Sequence, residues 1–416
     1  MNPSLETWTN EVVREPETAR APAPRIVSID IFRGLTMAVM IFVNALSEVR
    51  GLPWWTYHAH AKDNVMTYVD MVFPFFLFAV GLSLPLSVTR RLRRKPSMVA
   101  LWAHIALRAL ALVVLGEILA NAEKADAARM GMRGSTWGLL ALICAALYLN
   151  VYGKSLRAQR YGQILRVIGF AGVIVLLALF RRSTSNGRIA WLDGSYPEIL
   201  GLIGYSYLAV AILYIPTRRW AWAPVAWFAL LLALCAFSTA GWLVFPGRFP
   251  LYVWPFGNGA MCCIIMAGTV TSSIYLSATV RGTLHHAIYL ALGFGLLAFA
   301  TGWMLTPLGI SKIRATPTWS LYSIGAAVLL FTLLYWICDV KQWQRWAFLI
   351  RPAGSNTLLT YLLPDFWYFA LSVAGFTWLD ARFNNGAAGV VKTLVFTLLM
   401  LAVAGVLTRA KLRLQL

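Results

Sequence analysis

Apolar residues in this chain come in long runs, not in the strict alternation of a half-buried strand or the one-sided stripe of a surface helix. Windows of roughly 18 to 25 residues, the length that crosses a bilayer as a helix, occur near 32–49, 68–88, 98–120, 135–152, 165–180, 199–215, 221–245, 259–280, 284–304, 318–339, 353–377 and 388–408. They predict an all-α, polytopic integral membrane protein of about twelve transmembrane helices, with eleven as the nearest alternative count. The stretch at 1–24 holds Pro, Glu, Arg and Ala without an apolar run and reads as a short disordered cytoplasmic arm. No apolar segment of signal-peptide type precedes the first window, so the first helix is expected to serve as an uncleaved insertion signal.

Composition agrees with lipid as the solvent: 59% of residues are hydrophobic and 12% charged, and the mean hydropathy is +0.68. The net charge of +20 then has two ordinary readings, nucleic acid or membrane orientation. Lys and Arg concentrate in alternate connections, at 90–95, 154–166, 218–219 and 341–351, and again at the C-terminal tail. That alternation is the positive-inside pattern. It predicts both termini in the cytoplasm and excludes a basic stripe for nucleic acid. Cys144, Cys235, Cys262, Cys263 and Cys338 all fall inside apolar windows and read as small core residues, with no metal expected. No Walker A loop, HExxH or paired CxxC is present.

Candidate chemistry therefore rests on polar residues within or beside the spans, where their cost makes function the default hypothesis. They are densest in the first hairpin. Asp30 and Arg33 open its first helix and Asn44 lies near the other end, roughly 20 Å away by helical rise. A loop with His58, His60, Lys62, Asp63 and Asn64 follows, and the second helix begins at Asp70. The charge pattern puts Asp30 and Arg33 at the cytoplasmic mouth and Asn44, the histidine loop and Asp70 at the outer mouth. Pro74 excludes a helical bond to the carbonyl four residues earlier, that of Asp70. A carboxylate beside a loop imidazole would fix its tautomer and raise its basicity. Plainer readings stand beside these: Asp30 and Arg33 as a first-turn ion pair, Asp70 as a helix cap, and the histidines as solvated loop residues.

The run Ser28-Ile-Asp-Ile-Phe-Arg-Gly-Leu-Thr, then Met40-Ile-Phe-Val-Asn44, then His60-Ala followed by Asp70-Met-Val-Phe-Pro-Phe-Phe-Leu-Phe-Ala-Val-Gly81, resembles the heparan-α-glucosaminide N-acetyltransferase family of transmembrane acyltransferases, in a bacterial branch. Glu198–Gly204, Lys312–Trp319 and Pro352–Asp365 resemble it less sharply. The family's catalytic histidine lies ten residues before the Asp of its Asp-aliphatic-Val-Phe-Pro run, which selects His60 over His58, and Asn64 falls on a family position. The usual Gln-Arg pair of a middle helix reads Gly201-Leu202 here, and about two helices within 121–258 exceed the family core of ten.

The resemblance implies an inner-membrane enzyme that moves an acetyl group from cytoplasmic acetyl-CoA to the amine, or a hydroxyl, of a glucosamine-type sugar outside, and it implies a homodimer. His60 would act as general base or acyl carrier, Asp70 would orient it, and Asn44 and Asn64 would position the reacting groups. Asp30, Arg33 and Asn356 would face the cofactor, with the 90–95 basic loop either assisting or only setting topology. Asp365, near mid-bilayer after Pro364, and Glu117 and Glu198, toward outer helix ends, are candidates for the acceptor site; buried partners and interfacial residues are their plainer readings. Trp54, Trp55, Trp191 and Trp319 read as an interfacial belt or as sugar-stacking faces, and His104, His285 and His286 as structural. A sugar permease with proton-coupled carboxylates is the rival reading, although no inverted repeat is visible.

Overall fold

The computed structural model describes residues 26–153, 155–244, 257–281, 283–376 and 382–415, so the arm expected at 1–24 lies outside the described residues. In lipid every backbone polar group must be satisfied internally, and helices do this. The described helices are α1 (Val27–Leu46), α2 (Val72–Arg94), α3 (Met98–Ala122), the short α4 (Ala127–Met130), α5 (Gly134–Leu149), α6 (Leu156–Leu179), α7 (Glu198–Thr217), α8 (Ala223–Thr239), α9 (Ala260–Arg281), α10 (Leu284–Met304), α11 (Pro317–Tyr335), the short α12 (Ile350–Ser355), α13 (Thr357–Ala374) and α14 (Gly386–Arg409). Among the described residues, ten helical segments are long and apolar enough to span a membrane, and α5 and α8 are shorter apolar helices. Ten is two fewer than the apolar windows predict, because the windows at 135–152 and 221–245 yield α5 and α8, of 16 and 17 residues. The sole strand pair among the described residues is a two-residue hairpin, Arg182–Ser183 with Ile189–Ala190.

Helices α1, α2, α7, α9 and α11 bury most of their length and form the centre of the bundle, whereas α6, α10 and α14 turn apolar faces outward through residues such as Val167, Leu290, Leu297 and Val395. Water does not drive helices together inside lipid, so close approach depends on small residues. A Cβ added at Gly81 of α2 would collide with the Ile265 carbonyl of α9, and one at Gly268 of α9 with the Phe78 carbonyl of α2. The same device joins α1 to α12, where Cβ atoms at Gly34 and Gly354 would strike the carbonyls of Ile350 and Asp30. It recurs between α3 and α7, where Cβ atoms at Gly116 and Gly204 would strike the carbonyls of Pro197 and Ala109.

Chain ends are locked by side-chain caps. α11 runs into a π turn, Trp336–Val340, whose Asp339 carboxylate accepts from the backbone N–H groups of Val27 and Ser28 at 2.9 Å each, satisfying donors that the start of α1 leaves free. The tail beyond α14 is clasped by Asn356: its amide donates to Thr408 Oγ1 at 3.0 Å and to the Leu412 carbonyl at 2.9 Å, and its oxygen accepts from Leu414 N at 3.2 Å. Asn356 is 3% exposed. Both amide hydrogens and one lone pair of Asn356, expected from the sequence to face the cofactor, are thus spent on the tail.

Candidate active site at the histidine loop

Asp70 is the organising residue. It closes a 3-10 turn, Tyr68–Met71, that feeds α2, and its carboxylate forms a capping box with Thr67. Oδ2 accepts from Thr67 N at 3.1 Å, Thr67 Oγ1 at 3.3 Å and Ala59 N at 3.3 Å, while Oδ1 meets His58 Nδ1 at 2.7 Å. The cap and the imidazole holder are one carboxylate. Pro74 frees the Asp70 carbonyl, as the sequence predicts, and the indole N–H of Trp319 takes it at 3.0 Å. Trp319 is therefore 1% exposed, a core residue holding the site and not a member of a belt; Trp54, Trp55 and Trp191 are exposed.

Burial is graded across the dyad. The Asp70 side chain is 1% exposed and that of His58 44%, so an inward-facing carboxylate holds an imidazole open to the outside. Lys312, in the loop before α11, brings its Nζ to 3.3 Å from His58 Nδ1 and 3.5 Å from Nε2. Burial holds the Lys312 ammonium below the usual lysine range, with the carboxylates of Asp70 and Glu198 acting against that shift. Two residues on, Arg314 donates from Nη2 to Asn64 Oδ1 at 2.5 Å, tying this loop to the histidine loop.

The sequence-derived candidates separate here. His60 is exposed, and its ring has no hydrogen-bond partner among the described residues; the imidazole on Asp70 belongs to His58. Asn64 joins the cluster through Arg314. Asn44 is exposed and engages through its carbonyl, which accepts from Ser47 Oγ. Glu198 starts α7 with a φ of +56°, a conformation side chains rarely adopt. Its Oε2 accepts from Leu200 N at 3.1 Å and from the Tyr361 hydroxyl of α13 at 2.9 Å. Asp365, one helical turn beyond Tyr361, interacts electrostatically with the Glu198 carboxylate, so these two candidates come together. Beside them, burial and the Glu198 charge push the Tyr196 phenol up to about 12. Glu117 keeps to a neighbouring group: Asn121 donates to its Oε2 at 3.2 Å and accepts from Asp193 N at 2.7 Å. Asp193 in turn is held down to about 2, first by its hydrogen bond from Lys124.

At the other mouth, Arg33 of α1 interacts electrostatically with Asp30 and with Arg108 of α3. Sequence reasoning missed Arg108 and met Lys312 only as the first residue of a resembling segment, with no role. A lone arginine inside an apolar window was the available signal for the first. No spacing rule identified the second, which lies 254 residues from His58 along the chain.

Comparison with known proteins adds a family. The family model described as a domain of unknown function, DUF5009, matches residues 25–273. Over 107 residues the chain is 39% identical to the heparan-alpha-glucosaminide N-acetyltransferase of Mus musculus. Over 109 residues it is 40% identical to the protein of the same name from Homo sapiens. Each match covers 26% of this chain and 16% of the relative.

Proposed function

The chain belongs to the DUF5009 family, and from that premise and the geometry of the outer mouth we propose that it is a transmembrane acyltransferase that carries an acetyl group from acetyl-CoA on the cytoplasmic side to a glucosamine-type amine outside. The observation that carries this is the buried Asp70 carboxylate holding the exposed His58 imidazole at 2.7 Å. The names of the relatives support the substrate class.

In this reading His58 removes the proton that an acceptor ammonium must lose before its nitrogen can attack the acetyl carbonyl. Asp70 holds the tautomer that leaves Nε2 free to accept and stabilises the imidazolium that forms. Negative charge then develops on the carbonyl oxygen, and Lys312 is the cation beside the ring to meet it. As the carbon–sulfur bond breaks, the thiolate takes up one proton, and the transfer releases one proton overall. Glu198, Tyr361 and Asp365 form the acidic wall against which a cationic amine would be drawn in. Asp30 and Arg33 serve the donor at the inner mouth.

A second reading is favoured by the ten-residue spacing to Asp70 and by the exposed ring of His60, which has no hydrogen-bond partner among the described residues: His60 is the base or acyl carrier, and His58 fixes the loop. Labelled acetyl transfer to glucosamine, measured on protein in lipid nanodiscs, separates the two. The first reading expects His58→Ala to lose about 10²- to 10⁴-fold in rate, the usual contribution of a positioned base, with His60→Ala affected less. An inactive His60→Ala beside an active His58→Ala replaces the first reading by the second. Wild-type rates from both folded variants would remove the acyltransferase site altogether.

A further inference from the structure

Arg108 lies ten residues into α3, about 15 Å from its Met98 end by helical rise, within a helix long and apolar enough to span a membrane, where a charge is costly. Its guanidinium carbon stands 5.0 Å from the centroid of the Tyr207 ring on α7. Its Nε is buried and has no hydrogen-bond partner among the described residues. Charge interactions join it to Arg33 on α1 and Arg91 on α2, with Arg94 and His104 at the edge of the group; the acid acting on them is Asp30, beside Arg33. Among the described residues no ion pair engages Arg33, Arg91 or Arg108. Among the described residues, α1, α2, α3 and α7 thus bring cations from distant sequence positions together, with Asp30 as the carboxylate that acts on them. Arg33 and Arg108 are half-buried and Arg91, in the last turn of α2, is exposed, so the group opens toward the basic-loop end; a cluster of like charges is stabilised when an anion completes it, and planar guanidinium groups match phosphate oxygens in pairs.

We propose that Arg33, Arg91 and Arg108, with the Tyr207 ring as floor, form an intramembrane seat for a diphosphate-type anion entering from the basic-loop side. The seat stands on this geometry; naming acetyl-CoA as the source of the diphosphate rests on the acyl-donor reading above. The same phosphate chemistry is offered by the headgroup of an anionic lipid, so the test carries both sources.

Calorimetric titration of protein in zwitterionic nanodiscs with acetyl-CoA and with inorganic pyrophosphate, and native mass spectrometry after exposure to phosphatidylglycerol, would be run on wild type, Arg108→Gln and Arg108→Lys. Loss of one charge-assisted contact predicts an acetyl-CoA Kd raised about 10- to 100-fold in Arg108→Gln, with partial retention in Arg108→Lys. Both variants keep the α3 backbone, and an unchanged melting transition shows that they fold. If acetyl-CoA binds wild type and Arg108→Gln equally, the seat is overturned while the donor reading stands. If wild type ignores acetyl-CoA yet binds pyrophosphate or retains phosphatidylglycerol in an Arg108-dependent way, the seat stands and the donor reading falls. Binding of no phosphate at all overturns both.

Discussion

At the scale of single residues, the histidine-loop site is built from groups that each do two jobs. Asp70 caps a turn and holds an imidazole, and the carbonyl that Pro74 frees on the same residue anchors Trp319. Replacing Trp319 by Phe keeps the aromatic volume but leaves a buried carbonyl without its donor, at a cost of about 1–3 kcal/mol. Thermal unfolding should show that loss together with a lower transfer rate, because the carboxylate moves with its carbonyl. Equal stability and rate in the variant would make the indole contact incidental. Lys312 sets a pH dependence. Burial lowers its pKa from the ordinary 10.5, so on raising the pH its positive charge is lost earlier than that of a solvated lysine. The transfer rate should therefore fall on the alkaline side with an apparent pKa below 10.5. In Lys312→Arg the guanidinium stays charged, and the alkaline fall should move to higher pH. An alkaline limb identical in wild type and Lys312→Arg would remove Lys312 from the reaction.

At the scale of elements, glycines decide which helices touch. The crossing of α2 with α9 at Gly81 and Gly268 lets backbones approach so closely that a Cβ at either position meets a main-chain carbonyl, which cannot rotate away. Gly81→Ala is expected to cost about 1–3 kcal/mol, the usual penalty of overpacking, read as a lower denaturation midpoint in detergent. Gly293→Ala, whose added Cβ would meet nothing within 4 Å, should change little. Equal losses in the two would point to a general effect of helix glycines and not to the crossing. The elements themselves were legible in the sequence because in lipid an apolar window of spanning length has one outcome, a helix. The window at 284–304 and α10 share both ends. What the sequence left open was set by partners far along the chain. The choice between His58 and His60 depends on an irregular loop path, Asn356 became a clasp because the tail returns to it, and Arg108 gained meaning only beside Arg33 and Tyr207.

At the scale of the whole molecule, the two mouths require an orientation, and the start of α1 and the end of α14 lie on one side of the bundle. The structure links that side through Asp339, at the end of the π turn, which holds the first N–H groups of α1, and through Asn356, which holds the tail. Basic loops fall on this side, including Arg90, Arg91, Arg93, Arg94 and Lys95 after α2, while the histidine loop lies at the opposite ends of α1 and α2. The positive-inside bias supports the proposal that the histidine loop faces outward. Accessibility to a membrane-impermeant maleimide tests this directly, because the five native cysteines are buried or half-buried and should give little background. A cysteine at the exposed position Asp63 should be labelled in cells whose inner membrane is intact, and one at the exposed position Arg93 only after that membrane is opened. The reverse pattern would put His58 and Asp70 on the same side as cytoplasmic acetyl-CoA. The transfer would then need no crossing of the membrane, and the division into a donor mouth and an acceptor mouth would fail as a whole.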